Sequence, residues 1–122
     1  MREASPANIL STFAGNGFPV DKDGTGTAAG FDQPYGVAVD AAGYVYVSDG
    51  DNLIRLISPS GNVTTLAGNN NDGGYFCYNY TLTNGVGLAA TFNCPDGIAV
   101  DALGNLYLAD SSNNLIRKIS PQ

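Results

Sequence analysis

The fold is decided by the stretch FDQPYGVAVD at residues 31–40, because it recurs as FNCPDGIAVD at residues 92–101. The match then continues in the same order. It pairs Gly43 with Gly104, Tyr46 with Tyr107, Asp49 with Asp110, the tripeptide 53–55 with 115–117, and the Ser-Pro dipeptide 58–59 with 120–121. Self-similarity at a fixed period is the signature of a repeat architecture. The chain is therefore expected to contain two copies of one structural unit.

Each copy reads as a series of short strands separated by turns. Runs of Val, Ile, Leu and Tyr that are bounded by Gly, Pro, Asn and Asp are typical of an all-β protein. The predicted strands are 36–39, 44–48, 53–57 and 62–67 in the first copy, and 97–100, 105–109 and 115–119 in the second. The second copy has no fourth strand, but LSTFAGN at residues 10–16 matches VTTLAGN at residues 63–69. A spare outer strand is thus predicted near the N-terminus.

The repeated motifs are Pro-x-Gly-[Val/Ile]-Ala-Val-Asp, Gly-x-[Val/Leu]-Tyr-[Val/Leu]-x-Asp and Asn-x-Ile-Arg, and in this order they resemble the NHL repeat family. The resemblance implies an all-β fold of two four-stranded antiparallel blades from a β-propeller, which commonly has six blades. It also implies a velcro closure, in which a strand from one chain end completes the blade at the other. The predicted organisation is a velcro strand at 8–16, a first blade at 31–69, an inserted aromatic loop at 70–91 and a second blade, without its own outer strand, at 92–122.

Two blades are not expected to stand alone. Each sheet of a propeller packs a face against both neighbours, so its strands should be apolar on both sides. Val45 and Val47 point to one side of their strand, while Tyr44 and Tyr46 point to the other. An isolated pair of blades would expose two outer faces and an open sheet edge, which is an aggregation hazard. We therefore expect either a ring-closing homo-oligomer, a trimer before other rings, or the remaining blades of a longer chain.

Composition excludes several classes of function. Five basic residues against eleven acidic ones give a net charge of −6, which would repel nucleic acids and anionic lipid. No apolar run approaches the ~20 residues that a membrane span needs. The chain has no histidine, and its two cysteines cannot close a four-ligand zinc site. We predict no catalytic residue, no metal ligand and no cofactor.

Charged residues that recur in both copies are expected to serve the fold. Three such pairs are Asp40 and Asp101, Asp49 and Asp110, and Arg55 and Arg117. Aspartates of this kind accept hydrogen bonds from backbone N–H groups in turns, and the arginines are expected to bond from blade to blade. The run DKDGTG at residues 21–26 resembles half of a calcium loop, but it lacks the third acidic position and the closing Glu. A solvated turn is the preferred interpretation.

The most individual feature is the long inserted loop. It carries a dense aromatic cluster, Tyr75, Phe76, Tyr78 and Tyr80. A disulfide between Cys77 and Cys94 would staple this loop to the second blade. The cluster is then either a rigid platform for recognition of protein or sugar, or the small core of the loop itself. The predicted binding face consists of Tyr75, Phe76, Tyr78 and Tyr80 together with Asp49, Asp51 and Asp110.

Two sequons, at Asn62 and Asn79, predict N-glycosylation and, with the cysteine pair, a secreted protein. The favoured function is a non-catalytic extracellular module for protein–protein or glycan binding, or for structural assembly. The alternative is a calcium-dependent enzyme of the lactonase or esterase kind, which would need carboxylates in the central channel. RNA binding, known among NHL propellers, would need a basic face that five cationic residues cannot supply.

Overall fold

The structure is a computed structural model that describes residues 2–4, 8–50, 52–69 and 84–121. These residues form an all-β protein. Its strands are β1 (Arg2–Ala4), β2 (Leu10–Thr12), β3 (Gly24–Thr25), β4 (Gly36–Val39), β5 (Val45–Asp49), β6 (Leu53–Ile57), β7 (Asn62–Gly68), β8 (Pro95–Val100), β9 (Leu106–Asp110) and β10 (Leu115–Ile119). Three short 3-10 turns lie at Gly26–Ala28, Gly87–Ala89 and Ser111–Asn113. No helix in the described ranges has the length and apolar character needed to cross a bilayer.

All strand pairs in the sheets are antiparallel. The first blade is a sheet in the order β3-β7-β6-β5-β4, and the second is a sheet in the order β10-β9-β8. The predicted strands are confirmed within two residues at each end. Within the ranges that the structure describes, the second sheet has three strands. The prediction of antiparallel β-propeller blades is therefore confirmed.

The first blade carries one strand more than expected. Gly24 and Thr25, from a segment read as a loop, pair with Val63 and Asn62 on the outer edge of β7. A backbone hydrogen bond from Gly26 N–H to the Gly61 carbonyl, 2.9 Å long, holds the turn beside this pair. The fourth strand of the blade is thus flanked on both sides by chain.

The spare outer strand lies at Leu10–Thr12, where the sequence placed it, but it has a partner within the chain. It forms a hairpin with β1, with Thr12 opposite Arg2 and Leu10 opposite Ala4. This register repeats that of β6 and β7, in which Thr65 lies opposite Arg55. REASP at residues 2–6 also matches RLISP at residues 55–59. The N-terminal hairpin therefore copies the last two strands of a blade.

The two faces of the first blade build two separate cores. One core joins the sheet to the chain that precedes it; its buried members are Ala14, Ala29, Phe31, Val47, Ile57 and Val63. The second core joins the two blades; its buried members are Ile54, Ala67, Ala90, Phe92, Leu106 and Leu108. We expected the outer face of the first blade to be open. The segment 13–31 instead covers the part of this face that lies towards β7.

Candidate functional site

The contact between the blades defines two kinds of sheet face. The trailing face of the first blade, which includes Tyr46 and Ile54, packs on the leading face of the second, which includes Ile98 and Val100. A hydrogen bond from Ser48 Oγ to the Asp96 carbonyl also crosses this contact. Apolar strands on both sides of a sheet make such a stack continuous.

Each blade also presents a face that meets no blade in the described chain. On the leading face of the first blade, Val37 and Val39 are 54% and 62% exposed. On the trailing face of the second blade, Ile116 is 76% exposed, whereas Ile54 at the matching position is 0% exposed. The exposed leading face of the first blade and the exposed trailing face of the second are therefore the counterparts of the two faces that pack together between the blades. A further blade would cover each of them.

Among the described residues, none lies in the second blade at the place that β7 occupies in the first. A cavity of about 1110 Å³, here called the strand cleft, lies between the edge of β10 and the dipeptide Gly85–Val86. Phe92, Leu106 and Ile119 line its apolar floor. Among the described residues, the sheet order leaves this edge of β10 without a partner strand. The depth of this cleft could not be read from the sequence.

A buried arginine fixes the outer part of the first blade. The Arg55 guanidinium donates to Asp49 Oδ2 at 3.0 Å, to the Gly30 carbonyl at 2.9 Å and to Asp23 Oδ1 at 2.9 Å. Its guanidinium carbon also lies 5.2 Å from the centre of the Phe31 ring, a cation–π distance. The arginine was expected to bond between blades. Its partners belong instead to its own blade and to the segment 21–30 that enters it.

The second blade repeats this cluster. Arg117 donates to Asp110 Oδ2 at 2.8 Å, to the Thr91 carbonyl at 3.0 Å and to Asn84 Oδ1 at 2.8 Å. The Phe92 ring again lies 5.2 Å away. The difference is charge: Asn84 stands where the first blade has Asp23. The recurrence shows that the cluster serves every blade rather than one special site.

Two of the three aspartates of the predicted binding face, Asp49 and Asp110, are buried. Asp49 accepts hydrogen bonds from the backbone N–H groups of Asp32 and Gly50, and Asp110 accepts one from Asn93. Both carboxylates are 0% exposed and each is paired with an arginine. They hold backbone and arginine in place and are closed to a ligand. The structure thus favours the structural role expected of repeated aspartates over a place on the binding face.

The matching turn aspartates behave as expected. Asp40 accepts hydrogen bonds from the backbone N–H groups of Ala42 and Tyr44. Asp101 does the same for Leu103 and Asn105. Hydrogen bonds from Asn105, from its side chain first, lower the pKa of the Asp101 carboxyl.

An extra carboxylate distinguishes the first cluster. Burial, followed by the charge and hydrogen bond of Asp21, raises the pKa of Asp49 to about 7, against the opposing effects of the Asp32 N–H and Arg55. Asp21 itself lies 3.6 Å from Arg55. The segment that resembled half a calcium loop therefore turns both carboxylates, Asp21 and Asp23, towards a guanidinium. Among the described residues, no group of three acidic or cysteine side chains is arranged to hold a metal ion.

The remaining predicted site residues lie largely outside the described ranges. These are Tyr75, Phe76, Tyr78, Tyr80, Asp51, Cys77 and Asn79. Cys94 is described, with its backbone N–H donating to Asn52 Oδ1 at 2.8 Å, and its pairing with Cys77 stays a prediction. Asn62 is exposed at the start of β7, and its Oδ1 accepts a hydrogen bond from Thr25 Oγ1 at 3.4 Å. A glycan there would lie on the outer edge of the first blade.

Comparison with known proteins supports the repeat. The NHL repeat model matches residues 92–119. The chain is 33% identical over 101 residues to the chloroplastic protein Suppressor of Quenching 1 of Arabidopsis thaliana, and 35% identical over 101 residues to NHL repeat-containing protein 2 of Bos taurus. These matches cover 81% and 80% of this chain, but 9% and 13% of the two relatives.

Solved structures share the architecture over nearly the whole chain. A Bacteroides thetaiotaomicron protein of unknown function matches with a TM-score of 0.81 and 30% identity, covering 96% of this chain and 28% of that one. An auxiliary nutrient binding protein of Bacteroides ovatus matches with a TM-score of 0.73 and 26% identity, covering 99% and 32%. A putative phosphatase of B. thetaiotaomicron, at 21% identity, a TM-score of 0.74 and coverage of 93% and 27%, shows the fold alone. This chain thus spans about a third or less of each matched structure.

Proposed function

Because the chain is built from NHL repeats folded as β-propeller blades, we propose that it is a non-catalytic binding and assembly module of an extracellular propeller. The observation that carries the proposal is the contrast between Ile54 and Ile116. These residues occupy the same position in two blades, yet one is 0% and the other 76% exposed. Within the described part of the chain, the same surface is thus an interface in one blade and uncovered in the next.

Surface energetics favour coverage of the open faces. Removing apolar surface from water contributes roughly 25 cal/mol per Å², so a cluster of exposed Val, Tyr and Ile gains from a partner of matching shape. Val37 and Val39 form such a cluster on one side of the chain, and Tyr107 and Ile116 form one on the other. Two complementary, non-identical faces make a head-to-tail contact, which closes into a ring when the rotation per step permits.

The burial of the repeated carboxylates supports a binding rather than a catalytic role. Asp49 and Asp110 are buried against arginine side chains, so they are not free to hold calcium in a channel. The matched Bacteroides ovatus protein is described as nutrient binding, which suggests that this architecture carries a ligand site. We place that site on the inserted loop with its aromatic cluster at 75–80, and its ligand class is protein or glycan. The sequons and the Cys77–Cys94 pair support an extracellular location.

Sedimentation of matched surface variants tests the assembly. The purified chain should sediment as a multiple of its own mass across micromolar concentrations. Ile116→Lys places a charge on the trailing face and should shift the protein to a single copy. Leu103→Lys is the control, because Leu103 is 80% exposed in the turn before β9 and should leave the assembly intact. A wild-type chain that stays a folded, soluble single copy would refute the proposal.

Native mass spectrometry of protein secreted from a eukaryotic host tests the remaining parts. It should report glycan mass on Asn62 or Asn79 and the loss of two hydrogens that accompanies the Cys77–Cys94 disulfide. Unmodified asparagines together with two free thiols would remove the support for an extracellular location. Calcium titration by calorimetry tests the binding class, and tight stoichiometric uptake would contradict a non-catalytic module of this kind.

A further inference from the structure

The segment that precedes the second blade carries the dipeptide Asn84–Gly85, at the position of Asp23–Gly24 in the first blade. Both dipeptides use the same contact. Asn84 Oδ1 accepts a hydrogen bond from Arg117 Nη2 at 2.8 Å. Asp23 Oδ1 accepts one from Arg55 Nη2 at 2.9 Å. Because a guanidinium group has only donors, an amide oxygen and a carboxylate oxygen can both satisfy it. The chain therefore presents one site in two chemical states, an amide and an acid.

The fold requires glycine directly after this residue in both blades. A Cβ atom on Gly85 would lie 3.1 Å from Ala89 Cβ and 3.3 Å from the Ala89 carbonyl carbon. A Cβ atom on Gly24 would lie 3.0 Å from the Ala28 carbonyl carbon. These distances are tighter than ordinary contacts, so a larger residue would displace the chain from the short 3-10 turn that follows. The amide at position 84 is thus always followed by glycine, whose backbone nitrogen has no neighbouring Cβ atom to hinder a reaction with that amide.

We propose that Asn84 is a self-modification site, whose side-chain amide is lost by deamidation and whose new carboxylate is held by Arg117. The backbone nitrogen of Gly85 releases its proton to water and attacks Asn84 Cγ. A succinimide ring forms, and the side-chain nitrogen takes up a proton and leaves as ammonia. Water then adds to a carbonyl carbon of the ring, breaks a C–N bond and leaves a carboxyl group. One water is consumed and one ammonia is released, and the reaction needs no oxidant, reductant or enzyme.

Arg117 is placed to favour both the reaction and its product. Attack on Asn84 Cγ develops negative charge on Oδ1, the atom to which Arg117 already donates at 2.8 Å. A fixed donor at such an atom stabilises the charge as it forms. Arg117 is fixed because it also donates to Asp110 Oδ2 and to the Thr91 carbonyl, and lies over the Phe92 ring. The product carboxylate then forms an ion pair, where the amide offered a neutral acceptor.

Water reaches this position even where the sheet has its outer strand. In the first blade, Thr65 on β7 donates to Asp23 Oδ1 at 3.3 Å, and the Asp23 side chain is still 58% exposed. Asn84 is exposed at the matching place. The proposed reaction therefore does not depend on whether a further strand lies beside β10.

Peptide mapping of aged protein tests the site, and the chain contains its own control. The second Asn-Gly dipeptide, Asn16–Gly17, is half-buried, and its Oδ1 accepts a neutral backbone N–H, that of Phe18, at 2.9 Å. In mildly alkaline water enriched in heavy oxygen, Asn84 of the folded protein should convert to a labelled acid roughly tenfold faster than Asn16. In urea the two rates should become similar. Equal rates in the folded protein, or an Asn84 amide that is retained while Asn16 reacts, would overturn the proposal.

Thermal unfolding tests the product. Asn84→Asp installs the acid and should raise the melting temperature by roughly 1 to 4 °C over fresh wild type, because a partly exposed ion pair contributes modestly. Aged wild type should reach the same melting temperature. Asn84→Gln is the control: its longer amide cyclises slowly and Asn16 is intact, so ageing should leave its melting temperature unchanged. A melting temperature of Asn84→Asp at or below that of fresh wild type would overturn the pairing with Arg117.

The form of the product gives a further check. The isoaspartyl form lengthens the backbone beside Gly85, which packs closely against Ala89. The folded protein should therefore yield mainly the aspartyl form, which keeps the geometry of the Asp23 and Arg55 pair. A product that is mainly isoaspartyl in the folded protein would overturn a carboxylate held by Arg117.

Discussion

Replacing Asp21 by Asn should make the protein more stable at neutral pH and remove part of its sensitivity to alkali. The Asp49 carboxyl has an ordinary pKa of 3.8, which is raised to about 7 in the folded protein by burial first and by Asp21 next. The folded state therefore holds a proton between pH 4 and pH 7 that the unfolded state has released. Stability falls as the pH rises through this window, because the folded state binds more protons than the unfolded state does.

The magnitude follows from the pKa difference. Each pKa unit corresponds to about 1.4 kcal/mol, so the full rise represents at most about 4 kcal/mol of stability lost between pH 4 and pH 7. Burial is the largest cause and is unchanged by the substitution. We therefore expect Asp21→Asn to gain about 1 to 2 kcal/mol over the wild type at pH 8, and little at pH 4, where the Asp49 carboxyl of the folded protein is protonated.

Urea unfolding at a series of pH values measures this difference. The chain has no tryptophan, so far-ultraviolet circular dichroism and tyrosine fluorescence are suitable probes, with all proteins at one concentration. Subtracting the unfolding free energy of the wild type from that of the variant at each pH cancels the contributions common to both, such as that of the lowered pKa of Asp101. Asp96→Asn, at an exposed carboxylate, is the matched charge control. A variant with the same pH slope as the wild type would refute the link between Asp21 and Asp49.

Three further substitutions test the packing. Ile54→Ala removes a fully buried side chain from the contact between the blades and should lower the free energy of unfolding in urea by about 2 to 5 kcal/mol. Leu103→Ala, at an exposed turn, is the control. An equal loss of unfolding free energy in both variants would contradict a packed interface. Gly68→Ala should lower the melting temperature strongly, because φ is +92° and a Cβ atom would clash with the Asn52 carbonyl oxygen. Gly97→Ala is its control, with nothing within 4 Å, and a similar loss there would argue against the clash. Asp110→Ala leaves the largely buried Arg117 guanidinium without its carboxylate and should cost about 3 kcal/mol by the same unfolding assay. A loss under about 1 kcal/mol would show the pair to be dispensable.

The parts of the fold that were predictable are those that the repeat encodes twice. Strand positions such as Gly36–Val39 and Leu53–Ile57 agree with the structure to the residue, because an apolar run between turn residues recurs in both copies.

The N-terminal hairpin could not be predicted in this way. β1 contains one apolar residue, Ala4, where the matching residues 55–57 of β6 include two, Leu56 and Ile57, so the apolar pattern gave no strand signal. The match between REASP at 2–6 and RLISP at 55–59 is the signal that would have found it. The short strand β3 was missed for a related reason: two residues are too few for a pattern, and their pairing depends on a backbone contact with Gly61.

Site prediction fared unevenly, for physical reasons. The repeated aspartates were read as structural from their recurrence, but sequence gave no means of finding their partners, because the carbonyls of Gly30 and Thr91 carry no side-chain signature. Nor does sequence reveal that Asp21 lies close enough to Asp49 to change its pKa, since the two are far apart along the chain. The aromatic cluster at 75–80 lies outside the described residues and stays a prediction.

The arginine clusters decide where this protein can be divided. Arg55 and Arg117 each donate a hydrogen bond to the segment that precedes the blade, at the carbonyls of Gly30 and Thr91 respectively. Phe13 and Ala14, at the end of an earlier strand, already belong to the core of the next blade. The units that fold cooperatively therefore do not coincide with the sheets. Each unit begins in the outer strand of one blade and includes the sheet of the next. Truncations and circular permutations planned at sheet borders, for example at Phe31, would cut through a unit, whereas a cut ahead of the outer strand would keep it whole.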